Sequence, residues 1–303
     1  MRERKILSIP GGGILGAGYL SCLLKISEYY DGKNIEFLDL FDVFCGVSVG
    51  SIIASGFVFK EKILNDKKNI DFIKRNQKIK SKSTKIIKFL IEIFEKRGSD
   101  IFEKNEIQLP KYKNKMKEIF KEYLDFDLKN IPANRTLVLK TVSIKDLSIN
   151  IFTNHPNLLK LPNKFNGNKH SSNVAEIVSW SCCIPGLFQV KNGQIDGGVC
   201  ITNAIMECNK LFNEDRLIIL SISRKFHNLM EPTSDILEIM TRIISIVPAT
   251  FVNKFQKFEK LDDFHELEID LKKLTMEDVE KIPEIINEGY STNIEDTLNF
   301  LNK

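Results

Sequence analysis

Apolar positions along this chain follow two rhythms, and their alternation predicts the architecture. Short, mainly apolar runs at 6–9 and 41–45 read as buried strands. Each precedes a longer stretch with helical spacing, 15–30 after the first and 51–59 after the second. Asp31-Gly32 marks the turn that ends the first helix. Residues 136–143 and 148–153 alternate as strands do and are expected to pair around Lys145-Asp146. Residues 174–182 read as a helix that stops near Pro185, 188–195 as a strand, and 216–223 as another buried strand. From 236 to 301 the pattern is mostly helical, with one strand expected at 266–269. Strands alternating with helices predict an α/β fold, a mostly parallel central sheet sandwiched by helices. No internal repeat or low-complexity linker divides the chain, so one domain over 1–303 is expected.

Composition supports a globular chain: 43% of residues are hydrophobic and 28% charged, enough to build a core and too apolar for global disorder. A net charge of +4 identifies no partner, but its distribution is uneven. Lys74, Arg75, Lys78, Lys80, Lys82, Lys85 and Lys88 fall within one stretch that has no acidic residue. Ile79, Ile86, Ile87, Phe89, Leu90, Ile91, Ile93 and Phe94 are interleaved with them or follow directly. This suits a basic helical insertion at about 60–130, either packed on the core by one face or resting peripherally on an anionic membrane surface. Binding of nucleic acid is not expected, because neither a recognition motif nor an aromatic stacking pattern accompanies the charge. A mainly helical extension is expected at about 227–303.

The uncharged stretch 6–24, preceded by Arg2, Arg4 and Lys5, has the outline of a signal peptide or membrane span. Pro10 and Gly11-Gly12-Gly13 interrupt it, which favours a soluble strand, loop and helix. A cytoplasmic location follows as an expectation. The six cysteines, at 22, 45, 182, 183, 200 and 208, show no C-x-x-C spacing and read as free thiols in a reducing compartment.

Three motifs carry candidate chemistry. Gly46-Val47-Ser48-Val49-Gly50 lies between an expected strand and an expected helix, the context in which a sharp turn lifts a serine hydroxyl clear of the sheet. Gly11-Gly12-Gly13-Ile14-Leu15-Gly16 could bring backbone N–H groups to a developing oxyanion. The same string also fits the dinucleotide fingerprint, with Glu36 or Asp39 spaced to meet a ribose. Asp196-Gly197-Gly198 puts a carboxylate at the end of an expected strand, where it could take a serine proton directly. The alternative base is a histidine, and His227 or His265 would complete a Ser–His–Asp order. Neither follows a clear strand in a small-residue loop. His155 and His170 complete the set of four.

The ordered set resembles the patatin-like phospholipase family. Glycine loop, early G-x-S-x-G and Asp-Gly-Gly occur in the family's order. Ser181-Cys182-Cys183-Ile184-Pro185-Gly186-Leu187-Phe188 is similar to the segment that precedes its aspartate, and Asn203 to the asparagine after it. The resemblance covers about 6–223. It implies an α/β sandwich distinct from the usual α/β hydrolase, and hydrolysis of fatty-acyl esters of phospholipids or other acyl lipids without a cofactor or metal. It also implies Ser48 as nucleophile, Asp196 as base, and Gly11, Gly12 and Gly13 as the oxyanion-hole loop. Two positions depart from the pattern: Pro10 stands where the family often has Asp, and Leu15 where it often has Arg or Lys. The remaining expectations are a catalytically inactive lipid-binding module and a nucleotide-binding protein. Nothing in the chain indicates an oligomeric state.

Overall fold

A computed structural model describes residues 2–102, 115–156, 171–185, 190, 192–200, 203–225, 263–272, 274–275 and 278–303. Its strands are β1 (Glu3–Ile9), β2 (Val43–Val47), β3 (Thr136–Ser143), β4 (Ile149–Thr153), β5 (Gln194–Asp196), β6 (Arg216–Arg224) and β7 (Phe264–Ile269). They join one sheet in the order β4-β3-β2-β1-β6-β7, with β5 added beside β3. Neighbours among β3, β2, β1, β6 and β7 are parallel, while β4 and β5 run antiparallel to β3. The sheet is therefore mostly parallel and flanked by helices, as the apolar rhythm predicts. The chain moves outward from β1 through β2 and β3, then returns to its other side as β6 and β7. The loop after β1 thus sits where strand order reverses, a place where open α/β sheets form crevices.

Side chains alternate across the sheet. Leu7, Ile9, Phe44, Leu137 and Leu139 face the larger apolar layer. Ile6, Val43, Cys45, Val47 and Val138 face a smaller one with Ala204, Ile205, Cys208 and Leu211. The larger layer holds α1 (Gly16–Asp31), α2 (Val49–Val58), α5 (Lys82–Phe102) and α7 (Val174–Ser181); the smaller holds α8 (Ile205–Leu211). Between them in sequence lie α3 (Lys60–Asn65), α4 (Ile70–Arg75) and α6 (Lys115–Leu124).

The basic stretch packs on the core by one face. Ile86, Ile87, Phe89, Leu90, Ile91 and Phe94 are buried in the larger layer, where α5 lies against α1 and α2. Several of its cations sit in ion pairs, among them Arg75–Glu92 at 2.5 Å, Lys82–Glu61 at 2.8 Å and Lys88–Glu28 at 3.0 Å. No helix among the described residues is long and apolar enough to cross a membrane. All six cysteines are free.

Some boundaries differ from the sequence expectation in an instructive way. The second strand begins at Val43 and runs through Gly46 to Val47, and the helix after it begins at Val49. One residue, Ser48, makes the whole turn. The strand expected at 188–195 appears as Gln194–Asp196, with 186–189 and 191 outside the described residues. The strand expected at 266–269 begins two residues earlier, at Phe264. The helices expected before it lie outside the described residues, as does 103–114 of the expected insertion.

The chain end returns to α1. Helix α9 (Ile282–Ser291) crosses α1, and the two backbones touch where both helices carry glycine. A Cβ on Gly289 would lie 2.2 Å from the Gly18 carbonyl oxygen. Helix α10 (Glu295–Leu301) follows at the chain end. Gly289→Val should therefore force the helices apart and lower stability by about 1–3 kcal/mol. Urea unfolding of wild type and variant checks this, and an unchanged midpoint would show that the crossing is looser than described.

Candidate active site

Ser48 connects β2 to α2 with φ 54° and ψ −128°. A non-glycine residue in that region is strained, and such strain persists only where the surroundings hold it. Here the surroundings are backbone. A Cβ on Gly46 would lie 2.2 Å from the Gly50 carbonyl oxygen, and one on Gly50 would lie 2.1 Å from that of Ile9. Both glycines of the motif are thus required by close approach, the first within the turn and the second against the end of β1. Ser51 Oγ donates to the Ser48 carbonyl at 2.5 Å, and the Ser48 N–H donates to Ser181 Oγ at 2.9 Å.

Asp196 reaches the same place by a different route. β2 pairs with β3 up to Val47 opposite Lys140, then leaves the sheet. β4 occupies the other edge of β3, pairing with Thr141 and Val142. β5 pairs with Thr141, Val142 and Ser143, so it takes the edge that β2 vacates. Asp196 stands opposite Thr141, one residue beyond Lys140. The last residue of β5 therefore meets the first residue after β2 at one point on the edge of β3.

The Asp196 carboxylate is 2% exposed. Its Oδ1 accepts the Gly198 N–H at 2.7 Å, and its own N–H donates to the Cys183 carbonyl at 2.9 Å. Burial pushes its pKa up to about 6, against the opposing pull of the Ser48 hydroxyl, the Gly198 N–H and the Lys140 ammonium. A carboxylate of this kind is ionised at neutral pH yet more basic than an exposed one. The Asp-Gly-Gly turn rests on β3: a Cβ on Gly197 would lie 2.6 Å from the Lys140 carbonyl oxygen.

The glycine loop leaves β1 beside the serine. A Cβ on Gly11 would stand 3.1 Å from Ser48 Cβ, and one on Gly12 would strike the Tyr19 hydroxyl. That buried hydroxyl donates to the Gly11 carbonyl at 3.3 Å. Gly13 takes φ 56° and starts the turn that leads into α1. Gly11, Ser48 and Asp196 are thus brought together, with Gly12 and Gly13 continuing the loop toward a helix amino end. Pro10 and Leu15, the two departures from the family pattern, are both buried.

Among the described residues, the alternative partners lie elsewhere. His265 sits on β7, three strand positions from β2, roughly 14 Å away by strand spacing. Its Nε2 is 2.9 Å from Thr297 Oγ1 and its ring stacks on Phe300. His155 meets the Phe212 ring edge-on near Arg4, at the far end of β1. His227 and His170 lie outside the described residues. Glu36 accepts from the Ser83 and Lys82 N–H groups at the start of α5, and Asp39 pairs with Lys60 and Arg135. Both acids spaced for a ribose are thus engaged by other parts of the fold.

Sequence reasoning gave no role in the site to three of its neighbours. Ser181 Oγ accepts from Ser48 N–H and donates to the Lys140 carbonyl at 2.8 Å, tying the turn to β3. Tyr19 supports the glycine loop. Lys140 is wholly buried and pairs with Glu207 at 3.1 Å. One signal for Lys140 was legible: a lone lysine inside the strand run Thr-Leu-Val-Leu-Lys-Thr-Val-Ser.

No curated protein matches the chain. Among solved structures, VipD from Legionella pneumophila aligns with a TM-score of 0.40 and 13% identity, over 99% of this chain and 66% of its own length. The family described as patatin-like phospholipase matches residues 7–208, which include the glycine loop, Ser48 and Asp196. As that match spans more than half of its length, the chain belongs to the patatin-like phospholipase family.

Proposed function

We propose that this protein is a serine lipid acyl hydrolase of the phospholipase A or lysophospholipase type, with Ser48 as nucleophile and Asp196 as its base. The family supports lipid acyl hydrolysis in general. The observation that carries the finer reading is the strained Ser48 turn facing a buried carboxylate. Asp196 takes the Ser48 proton as Oγ attacks the acyl carbonyl. Charge moves onto the carbonyl oxygen, next to the glycine loop and the amino end of α2. N–H groups of Gly11, Gly12 and Gly13 are the donors of this reading, each able to lower the barrier by about 3 kcal/mol. Collapse of the intermediate expels the alcohol, which takes the proton from Asp196 and leaves an acyl-Ser48 ester. Asp196 then deprotonates water, which attacks that ester; collapse breaks the Ser48 Oγ–acyl bond, releases the fatty acid and returns the proton from Asp196 to Ser48 Oγ. The cycle needs no cofactor. Peripheral contact with an anionic lipid surface by the cations around α5 belongs to the same reading, with the charge rather than the buried apolar face making it.

Ser48→Ala and Asp196→Asn should each lower ester hydrolysis at least a thousandfold, the order seen when a member of a hydrolytic constellation is removed. Intact mass after a fluorophosphonate probe should show one adduct on wild type and none on Ser48→Ala. An adduct that survives the serine substitution would sink the assignment.

His265→Gln should change turnover by no more than about twofold, because His265 is bonded three strands away. A loss comparable to that of Asp196→Asn would favour a triad.

Activity should fall as pH drops through about 6, where Asp196 takes up a proton. The stability effect has the opposite sense. A pKa raised in the folded state means that the folded chain holds this proton more tightly than the unfolded chain does. The ionised carboxylate thus weakens the fold as pH rises from about 4 to about 6, and fully above that. Asp196→Asn should raise stability at pH 7.5 by on the order of 2–3 kcal/mol and much less at pH 4.5. Equal effects at the two pH values in urea unfolding would contradict a raised pKa.

A further inference from the structure

Lys140 is the central residue of this site that the two-residue mechanism does not use. Its side chain is wholly buried within β3, where the alternation of the strand calls for an apolar residue. The ammonium pairs with Glu207 Oε1 on α8 at 3.1 Å and donates to the Asn203 carbonyl at 3.2 Å. Glu207 is itself buried, and among the described residues its Oε2 has no hydrogen-bond partner. A buried ion pair with an unsatisfied oxygen is a poor stabiliser, and apolar replacements of similar volume often do as well or better. Its presence calls for another reason.

Position supplies one. The backbone of Lys140 stands opposite Val47, the last residue of β2. Its carbonyl takes the Ser181 hydroxyl that holds the Ser48 N–H. The same carbonyl and the first part of its side chain form the surface on which Gly197 rests. After burial, the Ser48 hydroxyl and the Gly198 N–H, its charge is the smallest of the influences on Asp196, and it favours the ionised form. Groups facing Asp196 are Lys140 from β3, Ser48 from the turn, Cys182 from the end of α7 and, behind Lys140, Glu207 from α8. Among the described residues, Lys140 is the cation of that group.

We propose that Lys140 is a positioning residue for the dyad: its main chain and the first part of its side chain seat the Asp-Gly-Gly turn beside the serine turn, and its buried ammonium, balanced by Glu207, biases Asp196 toward its ionised form. This rests on the dyad reading for its catalytic meaning, but the electrostatic part can be measured without turnover. In Glu207→Gln the ammonium loses the carboxylate that balances it, so Asp196 should ionise more readily. In the double variant Lys140→Met/Glu207→Gln the ammonium is gone and no buried carboxylate is stranded, so Asp196 should ionise less readily.

The experiment follows the carboxyl resonances of isotope-labelled aspartate from pH 4 to 8, with Asp196 assigned by its loss in Asp196→Asn. The rate of fluorophosphonate labelling is measured on the same samples. Glu207→Gln should lower the Asp196 midpoint, and the double variant should raise it, each by roughly half to one pH unit. Labelling rates should follow each shifted midpoint. Midpoints within about 0.2 pH unit of wild type in both folded variants would reduce the pair to packing and overturn the proposal. Failure of both variants to fold would make it a structural strut and overturn it equally. If the midpoints move as expected while labelling ignores them, Lys140 biases the charge of Asp196 and the dyad reading is what fails.

Discussion

The site depends on one edge of one strand being shared by two others. β2 covers the edge of β3 as far as Lys140 and then turns away; β5 covers it from Thr141 onward. A strand edge must be paired or otherwise satisfied, so the departure of β2 leaves a place that a short antiparallel strand can take. The two chain segments then meet end to end, and the residues at the junction are Ser48 and Asp196. Nothing longer than β5 is needed to position the carboxylate. Its three residues are buried, and the turn after it is held against the Lys140 backbone.

The same junction explains why the site is built from glycine. Three backbone segments converge on it: the end of β1, the turn after β2 and the turn after β5. The tightest clearances at Gly46, Gly50 and Gly197 are to main-chain atoms, which cannot rotate aside as a side chain can. The strain held in Ser48 is sustained by this convergence. The charge is sustained less comfortably. Asp196 is buried where ionisation is disfavoured, and the groups that oppose this are a backbone N–H, a hydroxyl and the lysine of β3. A carboxylate kept in that condition is a stronger base and a weaker contributor to stability, both for the same reason.

The helical layer around α5 shows how amphipathic sequence is to be read in this chain. Cations interleaved with isoleucine and phenylalanine suit either a membrane surface or a protein core. The apolar residues are claimed by α1 and α2, and acids such as Glu28, Glu61 and Glu92 meet several of the cations. Those acids come from three different helices, so part of the local run of positive charge is offset once the chain is folded.

Strand and helix order, the turn at Ser48, the glycine loop and the Asp-Gly-Gly turn were legible in the sequence, because each rests on local physics. Apolar period reports element type, and glycine reports where backbone must pass close to backbone. The antiparallel pairing of β3 with β4 around Lys145-Asp146 was legible for the same reason. The tertiary structure alone brought Asp196 beside Ser48, since residues 148 positions apart meet only through the shared edge of β3. It alone decided that Glu36 and Asp39 serve α5, Lys60 and Arg135. It alone paired Lys140 with Glu207. Long-range pairing and burial depend on which surfaces the folded chain brings together, and no local window of residues carries that information.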